Sequence, residues 1–208
     1  MSVTVITVTR DVSDCHHYDW AMSRWEPNPR GRLGEAAMEL YVERGFEQTT
    51  VAEIARRAGL TERTFFRHYG DKREVLFWGA AALQDALVSA LAGSPDSATP
   101  MEAIATALAA AGTVFDGNRE HSRLRQSIIA SNPELQEREL IKLATLGSAL
   151  AAALRLRGVE EPAASLAAEA GVAVFKISFA LWLDEDNQRE FSEIVREALA
   201  TLKAVTSR

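Results

Sequence analysis

Cysteine is almost missing from this sequence. Cys15 stands alone among 208 residues, which excludes an internal disulfide framework and fits a reducing cytoplasm. No apolar run reaches the length of about eighteen residues that a membrane-spanning helix needs, so no membrane partner is expected. The N-terminus has no basic region followed by a long apolar core, so it does not read as a secretory signal. No Gly-rich phosphate loop and no Ser, His and Asp in a catalytic order are present, which leaves an enzymatic reading without residues to stand on. Strand patterning is confined to Val3-Thr4-Val5-Ile6-Thr7-Val8-Thr9. A lone strand has no partner for its backbone, so it defines no sheet. Positive charge is also short overall, with a net charge of −6. That total speaks against a uniformly basic nucleic-acid binder, but the charge is unevenly spread. Residues 1–21 sum to −2, residues 22–80 to +1 and residues 81–208 to −5. DNA affinity needs a local basic face rather than a basic protein, and 22–80 is where one can form.

What is present is helical periodicity. Residues 1–21 lack it and read as a disordered or non-native extension, with Met22 opening a segment that resembles a natural start. Leu33, Ala36, Ala37, Leu40 and Tyr41 recur at the spacing of one helix face. Gly45 supplies a stop, with Phe46 expected to fold back on Tyr41 as in a Schellman end. Thr50-Val51-Ala52-Glu53 is a capping box, and Ala58-Gly59 ends the helix it starts. Thr61 is placed to cap a short helix from Glu62 to Tyr69. Asp71-Lys72-Arg73-Glu74 repeats the capping pattern and should open one long helix to about Leu91. Further helices are expected near 100–115, 119–130, 134–157, 162–184 and 188–205, separated by Gly, Asn and Pro signals. The fold class is therefore all-α. A three-helix N-terminal unit spans 22–78, and a larger helical region for ligand binding and dimerisation spans 79–208.

Two short helices joined by Ala58-Gly59-Leu60-Thr61 have the spacing of a helix-turn-helix. The second shows Glu62, Arg63, Thr64, Arg67 and His68 around an apolar anchor of Phe65 and Tyr69. A short, donor-rich face of this kind is what enters a major groove. On these residues the segment 33–77 resembles the DNA-binding domain of the TetR family. The resemblance is carried by Ala36-Ala37, Leu40, Gly45-Phe46, Thr49-Thr50-Val51, Ile54-Ala55, Ala58-Gly59-Leu60-Thr61, Thr64-Phe65-Phe66-Arg67-His68-Tyr69, Lys72 and Leu76. It implies a homodimeric repressor that binds a palindromic double-stranded operator and is released by a small-molecule effector. The alternative reading is a helical ligand-binding or scaffold protein that does not bind an operator.

By that resemblance Thr50 and Lys72 contact phosphates, while Thr61, Arg63, Thr64, Phe66, Arg67 and His68 complete the DNA-binding set. Arg63, Thr64 and His68 are the candidates for base edges. Phe66 departs from the Tyr usual in the family and cannot bond a phosphate, which leaves apolar contact to a sugar or a thymine methyl. Arg24, Arg30 and Arg32 are read as a basic arm ahead of the first helix. Arg56 and Arg57 read instead as a solvated helix face.

In the C-terminal region Trp78, Phe115, His121, Arg125, Phe179 and Trp182 are candidate pocket residues, since helical ligand sites are apolar with few polar groups. The His121 and Arg125 pair would suit an anion, although a solvated pair or a bond to a helix end is the favoured reading. Phe175, Phe179, Trp182, Phe191, Ile194, Val195, Ala198, Leu199 and Leu202 are the expected dimer interface, because the last two helices carry more apolar surface than one core needs. Cys15, His16, His17 and Asp19 match no standard metal-ligand spacing, so neither a metal nor another cofactor is expected.

Overall fold

A computed structural model describes residues 28–115 and 117–207. The strand-like stretch at 3–9, the Cys15-His16-His17-Asp19 group, the start at Met22 and Arg24 all lie outside the described residues. Ten helices and no strands occur among the described residues. They are α1 Pro29–Arg44, α2 Val51–Arg57, α3 Glu62–His68, α4 Glu74–Phe77 and α5 Gly79–Ala92, then α6 Pro100–Phe115, α7 Arg119–Ala130, α8 Pro133–Leu156, α9 Ala163–Leu183 and α10 Phe191–Thr206.

Local chemistry sets the ends of the first helices. Asn28 caps α1 by accepting from the Gly31 N–H at 3.0 Å, and Pro29 occupies the first turn, where its missing N–H costs nothing. Helix α1 therefore begins four residues earlier than periodicity predicts, and Arg30 and Arg32 lie inside it rather than in an arm. Gly45 ends α1 with φ +85°, and the Tyr41 and Phe46 rings meet at 5.2 Å. Its ψ of 157° is extended, so the expected ring contact forms without the full Schellman geometry. Thr50 and Glu53 close both halves of the capping box of α2. Gly59, at φ +65°, makes the turn into α3, where a β-carbon would be strained.

The expected long helix after Asp71 runs from Glu74 to Ala92, with Trp78 at helical φ −54° and ψ −41° where α4 meets α5. At that junction Arg125 Nε donates to the Leu76 carbonyl at 2.5 Å. Asp71 Oδ1 accepts the Glu74 N–H at 3.0 Å, as its position predicts. Glu74 does not complete the box, because its carboxylate turns to Arg138 and Lys142 on α8.

Two buried clusters hold the molecule. The first gathers Leu33, Leu40, Ile54, Phe65 and Leu76 of the N-terminal helices, and it also takes in Ile128 and Ile129 of α7 and Leu135 of α8. The second is formed by α5, α6, α8, α9 and α10. The stretches Glu74–Ala92 and Ala163–Leu183 are long and apolar enough to cross a bilayer, with mean hydropathy 1.6. Both are packing elements of this bundle, and α9 buries Ala164, Ala168, Val174 and Trp182 in it.

The second cluster takes in part of the expected interface. Phe191, Ile194 and Val195 are each 1 % exposed within one chain. Phe175 and Trp182 are buried as well, and Phe179, Ala198, Leu199 and Leu202 pack against the same core. Of the expected interface residues, Phe175, Trp182, Phe191, Ile194 and Val195 are thus core of the single chain, while Phe179, Ala198, Leu199 and Leu202 stay partly exposed on α9 and α10. The apolar stripe of α10 packs against its own α6 and α9. Exposed apolar side chains also lie on α8, α9 and α10, at Leu140, Ile141, Leu156, Leu166, Ile177, Leu181 and Val205.

Candidate nucleic-acid interface

Helix α3 is anchored by Phe65, which is fully buried and sits 5.4 Å from the Tyr69 ring. That anchor fixes which side faces out. Glu62, Arg63, Phe66 and Arg67 form the exposed stripe, at spacings that place them on one helix face. Thr64 is half-buried, and its hydroxyl lies 3.0 Å from that of Thr61. Thr61 Oγ1 also accepts the Thr64 N–H at 3.2 Å, so Thr61 caps α3 as expected. His68 is half-buried, with a buried Nε2 that has no partner among the described residues. Thr50 is exposed, but its hydroxyl donates to Glu53 Oε2 at 2.9 Å within the capping box. To bond a phosphate it must release that carboxylate.

The cations of this region divide by what they already bind. Arg32 donates through Nη2 to the Ala58 carbonyl. Arg44 pairs with Glu53 at 2.8 Å, and Arg57 grips Glu39 and Glu43 at 3.1 and 2.7 Å. Arg57 is thus paired rather than merely solvated. Arg73 reaches Asp71 at 2.9 Å; burial pushes the Asp71 carboxyl up, but Arg73 and the Glu74 N–H hold it below its ordinary range. Arg30 stacks between Tyr69 and Trp78, with its guanidinium carbon 5.6 and 4.7 Å from the ring centres. Among the described residues, Arg56, Arg63 and Arg67 are left without an ion pair or hydrogen bond, and all three are exposed.

Lys72 is the clearest departure from expectation. Its ammonium donates to the carbonyls of Phe46, Glu47 and Thr49 at 2.8, 3.2 and 3.0 Å and lies 4.4 Å from the Phe46 ring. All three protons are used, and they tie α4 to the turn between α1 and α2. The Tyr41 hydroxyl adds a bond to the Lys72 carbonyl at 2.6 Å, and burial followed by the nearby Asp71 raises its pKa well above the ordinary value. Lys72→Ala should therefore cost about 1–3 kcal/mol of stability through the stranded carbonyls. Urea unfolding should show a lower midpoint. A salt slope of DNA binding smaller by about one, with an unchanged midpoint, would instead put Lys72 on a phosphate.

The candidate pocket residues do not gather at one place. Phe115, Phe179 and Trp182 do meet, with Phe115 5.1 Å from Phe179 and 5.5 Å from Trp182, and Phe175 and Phe191 complete the cluster. Arg119 lies over Trp182 at 5.1 Å. Trp78 is 53 % exposed and belongs to the Arg30 stack instead. His121 is exposed on α7, its pKa lowered by local burial and then by Arg125. Arg125 is committed to the Leu76 carbonyl and to Glu139 at 3.3 Å. Burial lowers its pKa, and Glu139 opposes that shift.

Sequence reasoning missed the clasp between the N-terminal helices and α8, where Arg138 Nε donates to Glu74 at 2.7 Å and Lys142 lies 3.7 Å from the same carboxylate. The available signal was the pair Arg138 and Lys142, four apart on one helix face.

A buried-anchor helix-turn-helix with unpaired arginines, set on a helical bundle, defines the class of one-chain DNA-binding regulators. Residues 33–77 match the bacterial regulatory proteins of the tetR family, and residues 98–207 match the MftR C-terminal domain. The chain belongs to the TetR family of helix-turn-helix regulators. It is similar to the transcriptional regulator TcmR of Streptomyces glaucescens, with 38 % identity over 92 residues, covering 44 % of this chain and 41 % of TcmR. It is also similar to MftR of Mycobacterium tuberculosis, with 33 % identity over 105 residues, covering 50 % of this chain and 52 % of MftR. The matched part thus spans about half the length of these curated relatives. Among solved structures, the repressor FadR of Thermus thermophilus in complex with lauroyl-CoA shares 25 % identity at a TM-score of 0.51, covering 86 % of this chain and 96 % of FadR.

Proposed function

We propose that this protein is a cytoplasmic repressor that binds a palindromic operator as a homodimer and is released by a small apolar effector. The observation that carries the reading is the exposed stripe of α3. Arg63 and Arg67 stand unpaired there, while most other arginines of the head bind protein groups. Two unpaired guanidiniums cost little in water and are strong donors to guanine edges and phosphates. Thr64 and His68 flank the stripe as secondary contacts, and Thr50, the cap of α2, supplies a phosphate contact.

Dimerisation follows from the outer faces of α8 and α9. Their exposed Leu and Ile side chains pair with a second copy about a two-fold axis as a four-helix bundle. The same axis sets two α3 helices about 34–36 Å apart, one turn of DNA. An apolar effector is favoured by the aromatic cluster of α6, α9 and α10, and the T. thermophilus FadR, which holds an acyl-CoA, is a relative of the same fold. Release is a population shift: effector favours an arrangement in which the α4 contacts to Arg125 and Arg138 are altered, and the two α3 helices lose their spacing.

The test is selection of duplexes from random-sequence DNA by the full chain, followed by mobility-shift titration. Arg63→Ala should lose about 1–3 kcal/mol of specific binding and relax preference at one base position. Failure to enrich any sequence sinks the operator reading. Uniform weakening across all sequences would move Arg63 from base to phosphate.

A further inference from the structure

The exposed stripe of α3 is polar except at its centre, where Phe66 is 56 % exposed. We propose that Phe66 is a specificity-determining residue that reads the C5-methyl group of a thymine in the major groove. The inference rests on the operator reading above and names the base that one side chain selects.

Phe66 is not spare core. The anchor of α3 is Phe65, and Phe66 touches it only through an edge contact at 5.5 Å with the planes at 85°. That contact orients the ring and leaves most of it in water. Arg63 lies one turn before Phe66, and Arg67 follows it, so in the exposed stripe the phenyl position is flanked by two unpaired arginines. A stripe with this order places an apolar group among donors. The edges of the base pairs offer donors and acceptors throughout the major groove, and the thymine methyl is the one apolar group among them. Phe66 has no hydroxyl with which to bond a phosphate at the groove wall. Thymine is therefore the base whose edge complements this position, while the flanking arginines supply the hydrogen bonds a phenyl ring cannot.

The test uses the duplex selected by the full chain, synthesised with thymine or with deoxyuridine at each half-site position in turn. Deoxyuridine removes the methyl and leaves every hydrogen bond in place. One thymine per half-site should show about a fourfold loss of affinity on replacement, and about fifteenfold when both half-sites are changed. Phe66→Ala should bind both duplexes equally, at the level the wild type shows for deoxyuridine, and Phe66→Leu should keep a thymine preference. Circular dichroism and the melting midpoint should be unchanged in both variants, because the side chain is exposed. Binding by the wild type within twofold at every position would overturn the inference alone. So would a thymine preference that survives in Phe66→Ala, or a loss in Phe66→Ala that is equal for both duplexes, which would place the ring on a sugar. Failure to select any duplex would overturn it together with the operator reading.

Discussion

Ile177→Glu should convert a micromolar dimer into monomers and abolish operator binding. Ile177 is 57 % exposed on α9, so the charge costs the single chain little. In a two-fold interface the same residue is buried against its copy, and burying a carboxylate there carries a large desolvation cost. Leu140→Glu, on the neighbouring face of α8, should do the same. Sedimentation at micromolar protein reads the assembly, and helix content by circular dichroism reads the fold. A wild-type monomer at that concentration would sink the interface and the palindromic mechanism with it. A dimeric Ile177→Glu would move the interface elsewhere.

Phe191→Ala should behave in the opposite way, costing about 3–5 kcal/mol of stability without acting through the assembly. The ring opens α10 and is 1 % exposed. It meets Phe115 at 5.1 Å, Phe175 at 6.0 Å and Trp182 at 6.0 Å, so truncation leaves a cavity bounded by rings that cannot all collapse into it. Against a total stability of about 5–15 kcal/mol, that loss is large. Urea unfolding should show a lower midpoint with an unchanged slope. A change below about 1 kcal/mol would mean that the cluster is loosely packed and that its space is available to a ligand without cost. The two variants together separate the face that α10 buries in its own chain from the face that α8 and α9 leave open.

Much of the N-terminal region was legible because its determinants are local. A capping box needs only Thr50 and Glu53 three apart, and both halves form. The turn into α3 needs a residue that tolerates positive φ, and Gly59 supplies it. The anchor of α3 needs Phe65 and Tyr69 four apart, and the two rings meet. Once those are set, the outward positions of α3 follow from 3.6 residues per turn. The helices after residue 100 were also placed within a few residues, since Gly, Asn and Pro punctuate them.

What remained hidden depends on which surfaces meet across long stretches of chain. Periodicity shows that the α10 stripe is apolar but not whether its own chain or a second copy covers it. Only the packing of α6 and α9 decides that. The formal charge of Lys72 is the same whether it faces a phosphate or three carbonyls, and the fold of the α1–α2 turn selects the carbonyls. The Leu76 carbonyl accepts from Arg125 Nε, 49 positions away, a bond that no local pattern announces. The sequence by itself thus determined the helices, their caps and the outward stripe of α3, because hydrogen bonds and rotation within a few residues set them. The tertiary structure alone decided which cations stay free and which apolar side chains stay exposed, because both are settled by competition among groups far apart in the chain.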